Sequence, residues 1–121
     1  RVASLAVAAG LPAVGLLFYG YPLHAPGKPH RLRTDHWPLV GAPSLFLQGT
    51  RDALCDVALL KRELPLLAAP PTLHLVEGGD HSLAVRAADT PDGRRRPPGE
   101  VLAALVPAVV GPWLAALSDR G

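Results

Sequence analysis

Residues 44–82 read SLFLQGTRDALCDVALLKRELPLLAAPPTLHLVEGGDHS, and this stretch decides the fold class. Ser44–Gln48 and Thr72–Val76 are short, nearly continuous apolar runs, the pattern of strands buried on both faces. Between them, over Asp56–Leu67, Val57, Leu60 and Leu64 recur at helical spacing, while Lys61, Arg62 and Glu63 take the opposite side. Asp56 is the natural N-cap of that helix. Strand, helix, strand predicts parallel strands joined by a crossover helix.

The pattern extends outward. Residues 2–19 carry no charge and are about long enough to span a bilayer, and Arg1 ahead of them would also suit a signal peptide. Gly10, Pro12 and Gly15 interrupt the run and separate an Ala-rich half from a branched and aromatic one. The sequence therefore predicts a helix over residues 1–9, a turn, and a third buried strand over Ala13–Tyr19. At the other end, Glu100–Ser118 places Val101, Leu102, Leu105, Val109, Trp113 and Leu117 on one broad face. Pro107 and Pro112 should split that stretch into two short helices. The expected architecture is α/β: a parallel sheet with crossover helices, of about three strands and three to four helices.

Two loops stand out. Tyr21–Pro43 holds Pro22, Pro26, Pro29, Pro38 and Pro43, and a structureless loop of that length is often functional. Ala87–Gly99 contains Arg94, Arg95 and Arg96, but Asp89, Asp92 and the adjacent Glu100 cancel that charge. The triplet reads as a solvated loop face rather than a phosphate site.

Composition excludes several classes. A chain of 121 residues allows at most one domain, and 49% hydrophobic residues exclude intrinsic disorder. A single cysteine cannot form an internal disulfide. A formal charge of +2 argues for no nucleic-acid partner. With no convincing targeting or membrane segment, the expected location is cytoplasmic, without a membrane partner. Arg at position 1 and the absence of any Met suggest a piece of a longer chain.

In an open parallel sheet, chemistry sits beyond the carboxyl ends of the strands. Those ends read Tyr19-Gly20-Tyr21-Pro22, Gly49-Thr50-Arg51-Asp52 and Glu77-Gly78-Gly79-Asp80-His81-Ser82. Asp52 and His81 would then share one edge, where the carboxylate could hold one imidazole nitrogen while the other faces a nucleophile. The plain alternative is that Asp52 caps a turn and His81 is a surface residue. Asp80 adjoins His81, but sequence neighbours seldom point the same way in a tight loop; Asp56 is a weaker alternative. Tyr19 and Tyr21 could line a substrate pocket or simply pack. Cys55, at the helix start, is either a stabilised thiolate or a small buried residue. His24, His30 and His36 recur every six residues, which fits no zinc spacing, so neither metal nor cofactor is expected.

The segments Arg1-Val-Ala-Ser4, Gly20-Tyr-Pro-Leu-His24 through Pro26-Gly-Lys-Pro29, Gln48-Gly-Thr-Arg-Asp52 and Glu77-Gly-Gly-Asp-His-Ser82 occur in a familiar order. Together they resemble the dienelactone-hydrolase-like branch of the α/β-hydrolases. That branch includes bacterial hydrolases and relatives of a testis-expressed protein and of a histone-acetylation-complex subunit. The resemblance covers nearly all of residues 1–121 and implies the C-terminal half of such a domain. It assigns Asp52 as triad acid and His81 as general base. In that family the nucleophilic serine lies in a Gly-x-Ser-x-Gly-Gly elbow just before a helix that begins like Arg1–Ser4. No Gly-x-Ser-x-Gly occurs here, and Ser4, Ser44, Ser82 and Ser118 lack its context.

Two functions follow. On the first, the resemblance implies that the parent chain would be a serine hydrolase acting on a small ester-like substrate, and that these residues alone would be inactive. Alternatively, the chain is a non-catalytic interaction or scaffold protein, as some members of that group are. Lys28, Arg31 and Arg33 are only a weak hint of an acidic partner. The first strand would lack a neighbour on one side, so self-association through an open sheet edge is expected.

Overall fold

The structure, a computed structural model, describes residues 2–10, 13 and 15–119. The first helix, α1, spans Val2–Ala8. Strand β1 (Leu16–Tyr19) is shorter than the apolar run suggested, and Leu11, Pro12 and Val14 lie outside the described residues. Strand β2 is Ser44–Gly49, helix α2 is Val57–Glu63, and strand β3 is Pro71–Val76. Among the described residues they form one parallel sheet in the order β1-β2-β3, with Phe18 opposite Phe46 and Phe46 opposite Leu73. The expected α/β architecture is therefore what the chain adopts.

Order in the sheet decides burial. Central β2 is buried at all six positions, as a doubly covered strand should be. Its neighbours depart from that expectation because each is a margin of the sheet. In β1, Leu16 and Phe18 are buried while Leu17 and Tyr19 are exposed, and β3 is mostly half-buried.

Two cores follow from the alternation of side chains across the sheet. On one face Phe18, Tyr21, Trp37 and Phe46 form an aromatic cluster with ring centroids 4.9–5.8 Å apart. Leu23, Val40, Leu60 and Leu64 complete it. The other face seats Leu45 and Leu47 against Leu83 and Leu105. Each large apolar side chain so buried contributes roughly 1.5–3 kcal/mol.

The β1–β2 crossover contains no α-helix. Its prolines lack the N–H groups a helix needs, and the chain forms only a 3₁₀ turn at Trp37–Leu39. The loop is nevertheless packed: Leu23, Trp37 and Val40 are fully buried. Trp37 Nε1 donates to the Tyr21 hydroxyl at 3.1 Å, and that hydroxyl donates to the Arg33 carbonyl at 2.9 Å. The β2–β3 crossover does use a helix. Asp56 caps α2 by accepting from the Leu59 N–H at 3.1 Å, and Pro65 then tightens the chain into a 3₁₀ turn, Leu64–Leu66.

The C-terminal stretch differs from the expected pair of separate helices. Helix α3 (Pro98–Leu105) runs through a π-helical turn, Val106–Val110, into α4 (Gly111–Asp119). The Gly111 N–H donates to the Val106 carbonyl, five residues back. That wider turn contains Pro107 and ends just before Pro112, and it absorbs their missing N–H groups without breaking the run. Pro98–Leu117 has mean hydropathy 1.8 and is long and apolar enough, by length and composition alone, to cross a membrane. In the fold it lies on the sheet, with Val101, Leu102, Val109, Val110 and Trp113 packed around Leu45, Leu47 and Leu105.

Candidate active site

The loops that leave the carboxyl ends of the three strands meet over the end of β2. Two glycines make the meeting possible. Gly20, at φ +70°, lies against the loop after β3, and a Cβ there would overlap the His81 carbonyl. A Cβ on Gly49 would overlap the Gly79 carbonyl, with Asp80 close behind. Their absent side chains let residues 77–82 fold across the strand ends.

Local hydrogen bonds then shape that loop. Asp80 Oδ1 accepts from the Ser82 N–H, the Ser82 hydroxyl and the Ala84 N–H at 2.7–3.0 Å. Desolvation pushes the Asp80 carboxyl up, but these bonds from Ser82 and Ala84, with the Arg95 charge, hold it below its ordinary value. Asp80 is therefore spent on its own loop. Leu83 holds a left-handed φ of +73°, a strain of about 1–2 kcal/mol, while its fully buried side chain anchors the loop in the second core.

This geometry brings His81 and Asp52 together. His81 Nδ1 lies 2.8 Å from Asp52 Oδ2; the aspartate side chain is fully buried and the histidine side chain is 44% exposed. With a carboxylate oxygen as acceptor the shared proton sits on Nδ1, and the neutral ring then keeps its lone pair on Nε2. The Asp52 carboxylate has two further donors: the Leu54 N–H to Oδ1 at 2.7 Å, and Gln48 Nε2 to Oδ2 at 2.9 Å. Gln48 had no assigned role in the sequence reading. The signal available was a lone amide ending the apolar run Ser44–Gln48 of a buried strand.

The tyrosines part company. Tyr19 is 58% exposed and borders a shallow groove of about 330 Å³ with Ala3, Leu17 and Pro22. Tyr21 also lines that groove, but the residue is 1% exposed and its hydroxyl is committed to the Arg33 carbonyl. A larger cleft, about 480 Å³, lies on the Asp52 side and is lined by His24, Pro29, Thr50, Arg51, Asp52 and Asp56 among others. An apolar cavity of about 490 Å³ lies instead at the opposite end of the strands, between Pro43, Pro71 and Trp113.

The remaining sequence features resolve as structure. Cys55 is buried, and burial first, then the charges of Asp52 and Asp56, push its thiol up to about 12. Its environment disfavours a thiolate. His24 donates through Nδ1 to the Ala25 carbonyl and accepts the Asp56 N–H on Nε2, each at 3.0 Å, so it ties the first loop to the start of α2. His36 Nε2 meets Ser4 Oγ at 2.8 Å, and His30 is exposed. Among the described residues, no three His, Cys, Asp or Glu side chains are grouped to hold a metal. Ser44 donates to the Ala42 carbonyl and Ser82 to Asp80, so neither hydroxyl is directed to His81. Arg94 pairs with Glu100, and Arg96 with Asp92 at 3.0 Å, so two of the three arginines are engaged by carboxylates of their own loop and helix start.

No solved structure matches the chain. Among protein families, residues 1–96 match the model of the alpha/beta hydrolase domain, a span that takes in the sheet, the crossovers and both members of the Asp52–His81 pair. The chain belongs to the alpha/beta hydrolase domain family.

Proposed function

We propose that the chain carries the acid–base half of a serine hydrolase of the dienelactone-hydrolase-like kind, acting on small ester-type acyl bonds. One observation carries the reading: an exposed imidazole held 2.8 Å from a buried carboxylate at the carboxyl edge of a parallel sheet. The nucleophile is a serine outside these residues. Its hydroxyl proton passes to His81 Nε2 as the oxygen bonds to the acyl carbon. The imidazolium so formed is stabilised and oriented by Asp52 through Nδ1. It then returns the proton to the departing alcohol as the ester C–O bond breaks. Water, deprotonated by the same nitrogen, releases the acid and restores the serine.

The test uses the protein as encoded from its start codon, with a p-nitrophenyl ester as substrate. Asp52→Asn should lower kcat by about 10⁴-fold and His81→Ala by about 10⁶-fold. Residues 1–121 alone should be inactive. Undiminished turnover in either variant would mean that the pair does not carry the reaction; no turnover in the unsubstituted protein would leave the scaffold reading in possession, with the exposed β1 margin as its binding surface.

A further inference from the structure

Gln48 is fully buried at the end of the β2 apolar run. Its Nε2 donates to the Gly49 carbonyl at 3.1 Å and to Asp52 Oδ2 at 2.9 Å. Both partners are acceptors, so the amide can only be oriented with its nitrogen toward them. Its Oε1 is buried and has no hydrogen-bond partner among the described residues. A buried amide in that condition is destabilising compared with an apolar side chain of the same shape. What it supplies in return is a fixed donor to the carboxylate that holds His81.

From this arrangement we infer that Gln48 is a positioning residue for the His81–Asp52 pair. The inference rests on the proposed acid–base role of that pair. The Asp52 carboxylate can pivot about its side-chain torsion. The Leu54 N–H fixes Oδ1, and Gln48 fixes Oδ2 on the side where His81 Nδ1 arrives at 2.8 Å. Without the amide donor, Oδ2 is free to swing off the imidazole axis. Nδ1–H then loses its acceptor, and the ring relaxes toward the Nε2–H form that free imidazole prefers. That form has no lone pair on the nitrogen that must take the proton.

The experiment is ¹⁵N NMR of the imidazole nitrogens in the chain itself, so it needs neither a nucleophile nor a substrate. Gln48→Met keeps the volume and removes the donor. The expected result is that the Nδ1–H tautomer of His81 falls from the dominant form to the minor one while the amide spectrum stays dispersed. Asp52→Asn marks the limit of complete loss. Gln48→Leu is the second variant should the Met variant not fold. An unchanged tautomer in either folded variant overturns the inference, even if the melting temperature drops, because the amide would then be merely structural. Collapse of the spectrum in both variants overturns it too. A shifted tautomer combined with an activity that ignores Asp52 would sink the acid–base role of the pair alone.

Discussion

Cys55 and Asp52 are three residues apart and share one turn, yet their environments set them opposite tasks. The Asp52 carboxylate receives N–H donors from Leu54, Gln48 and His81. The Cys55 thiol receives none of that compensation: burial and the charges of Asp52 and Asp56 hold it at about 12. Because its folded value is raised from 9.0, the protonated form's contribution to stability is complete below pH 9 and is lost as pH rises toward 12. At pH 8 the folded chain should therefore react with a disulfide reagent such as DTNB roughly a thousandfold more slowly than the denatured chain, following the difference in thiolate fraction. A native rate close to the denatured one would mean that the thiol is not held in this environment. At the same scale, the approach of Asp52 and His81 was one of two open readings of the strand ends, and the resemblance rather than the spacing singled it out. Gln48 and Tyr21 were settled by neither. Whether a buried amide faces a carboxylate, or a tyrosine faces inward, depends on packing across the sheet that no local spacing encodes.

Elements were legible where local chemistry settles them and obscure where neighbours do. Asp56 and the Val57, Leu60, Leu64 spacing announced α2, and its cap bond to Leu59 forms as expected. Pro107 and Pro112 announced a disturbance, but not that a single π-helical turn would accommodate both and let α3 and α4 run on. The apolar runs announced strands, but not which of them would be central. The segment from Arg86 to Glu100 carries a chain of exposed ion pairs. Arg86 and Arg51 reach Asp89, Arg96 reaches Asp92, and Arg94 reaches Glu100. The Arg96 guanidinium, then the Arg94 N–H, pull the Asp92 carboxyl down from 3.8 to about 2. Since the folded value is the lower one, this contact stabilises the loop fully above pH 3.8 and loses that effect as pH falls through about 2. Val85 and Arg96 exchange two backbone hydrogen bonds at 2.9 Å, and their amide shifts report the loop's integrity. Those shifts should be flat from neutral pH to about 4 and then move toward random-coil values near 2, before global unfolding. Movement beginning near pH 6 would point to another group. The pairs are solvent-exposed, so the effect should be abolished by molar salt.

At the scale of the whole molecule, the sheet is asymmetric in how it ends. On the β3 side the margin begins with Pro71, which has no N–H to offer, and Thr72 presents a polar side chain to solvent. Both features blunt a sheet edge. The β1 side has no such protection. Leu16 N–H donates to the Pro43 carbonyl and Gly20 N–H to the Leu47 carbonyl, so the alternate N–H groups of Leu17 and Tyr19 point away from β2. Among the described residues no strand pairs there. Leu17 and Tyr19 are 45% and 58% exposed above it, opposite Leu45 and Leu47 on the same face but outside the cluster that α3 and α4 cover. Unsatisfied backbone donors beside exposed apolar side chains are the combination that templates strand addition. The 121-residue chain should therefore associate with concentration in sedimentation velocity. Leu17→Lys, which puts a charge on that margin and leaves both cores untouched, should shift it toward monomer with an unchanged far-UV spectrum. A Thr72→Lys control on the opposite margin should leave association as it was. If the unsubstituted 121-residue chain is monomeric throughout, or if the two lysine variants behave alike, the β1 margin is not the adhesive surface.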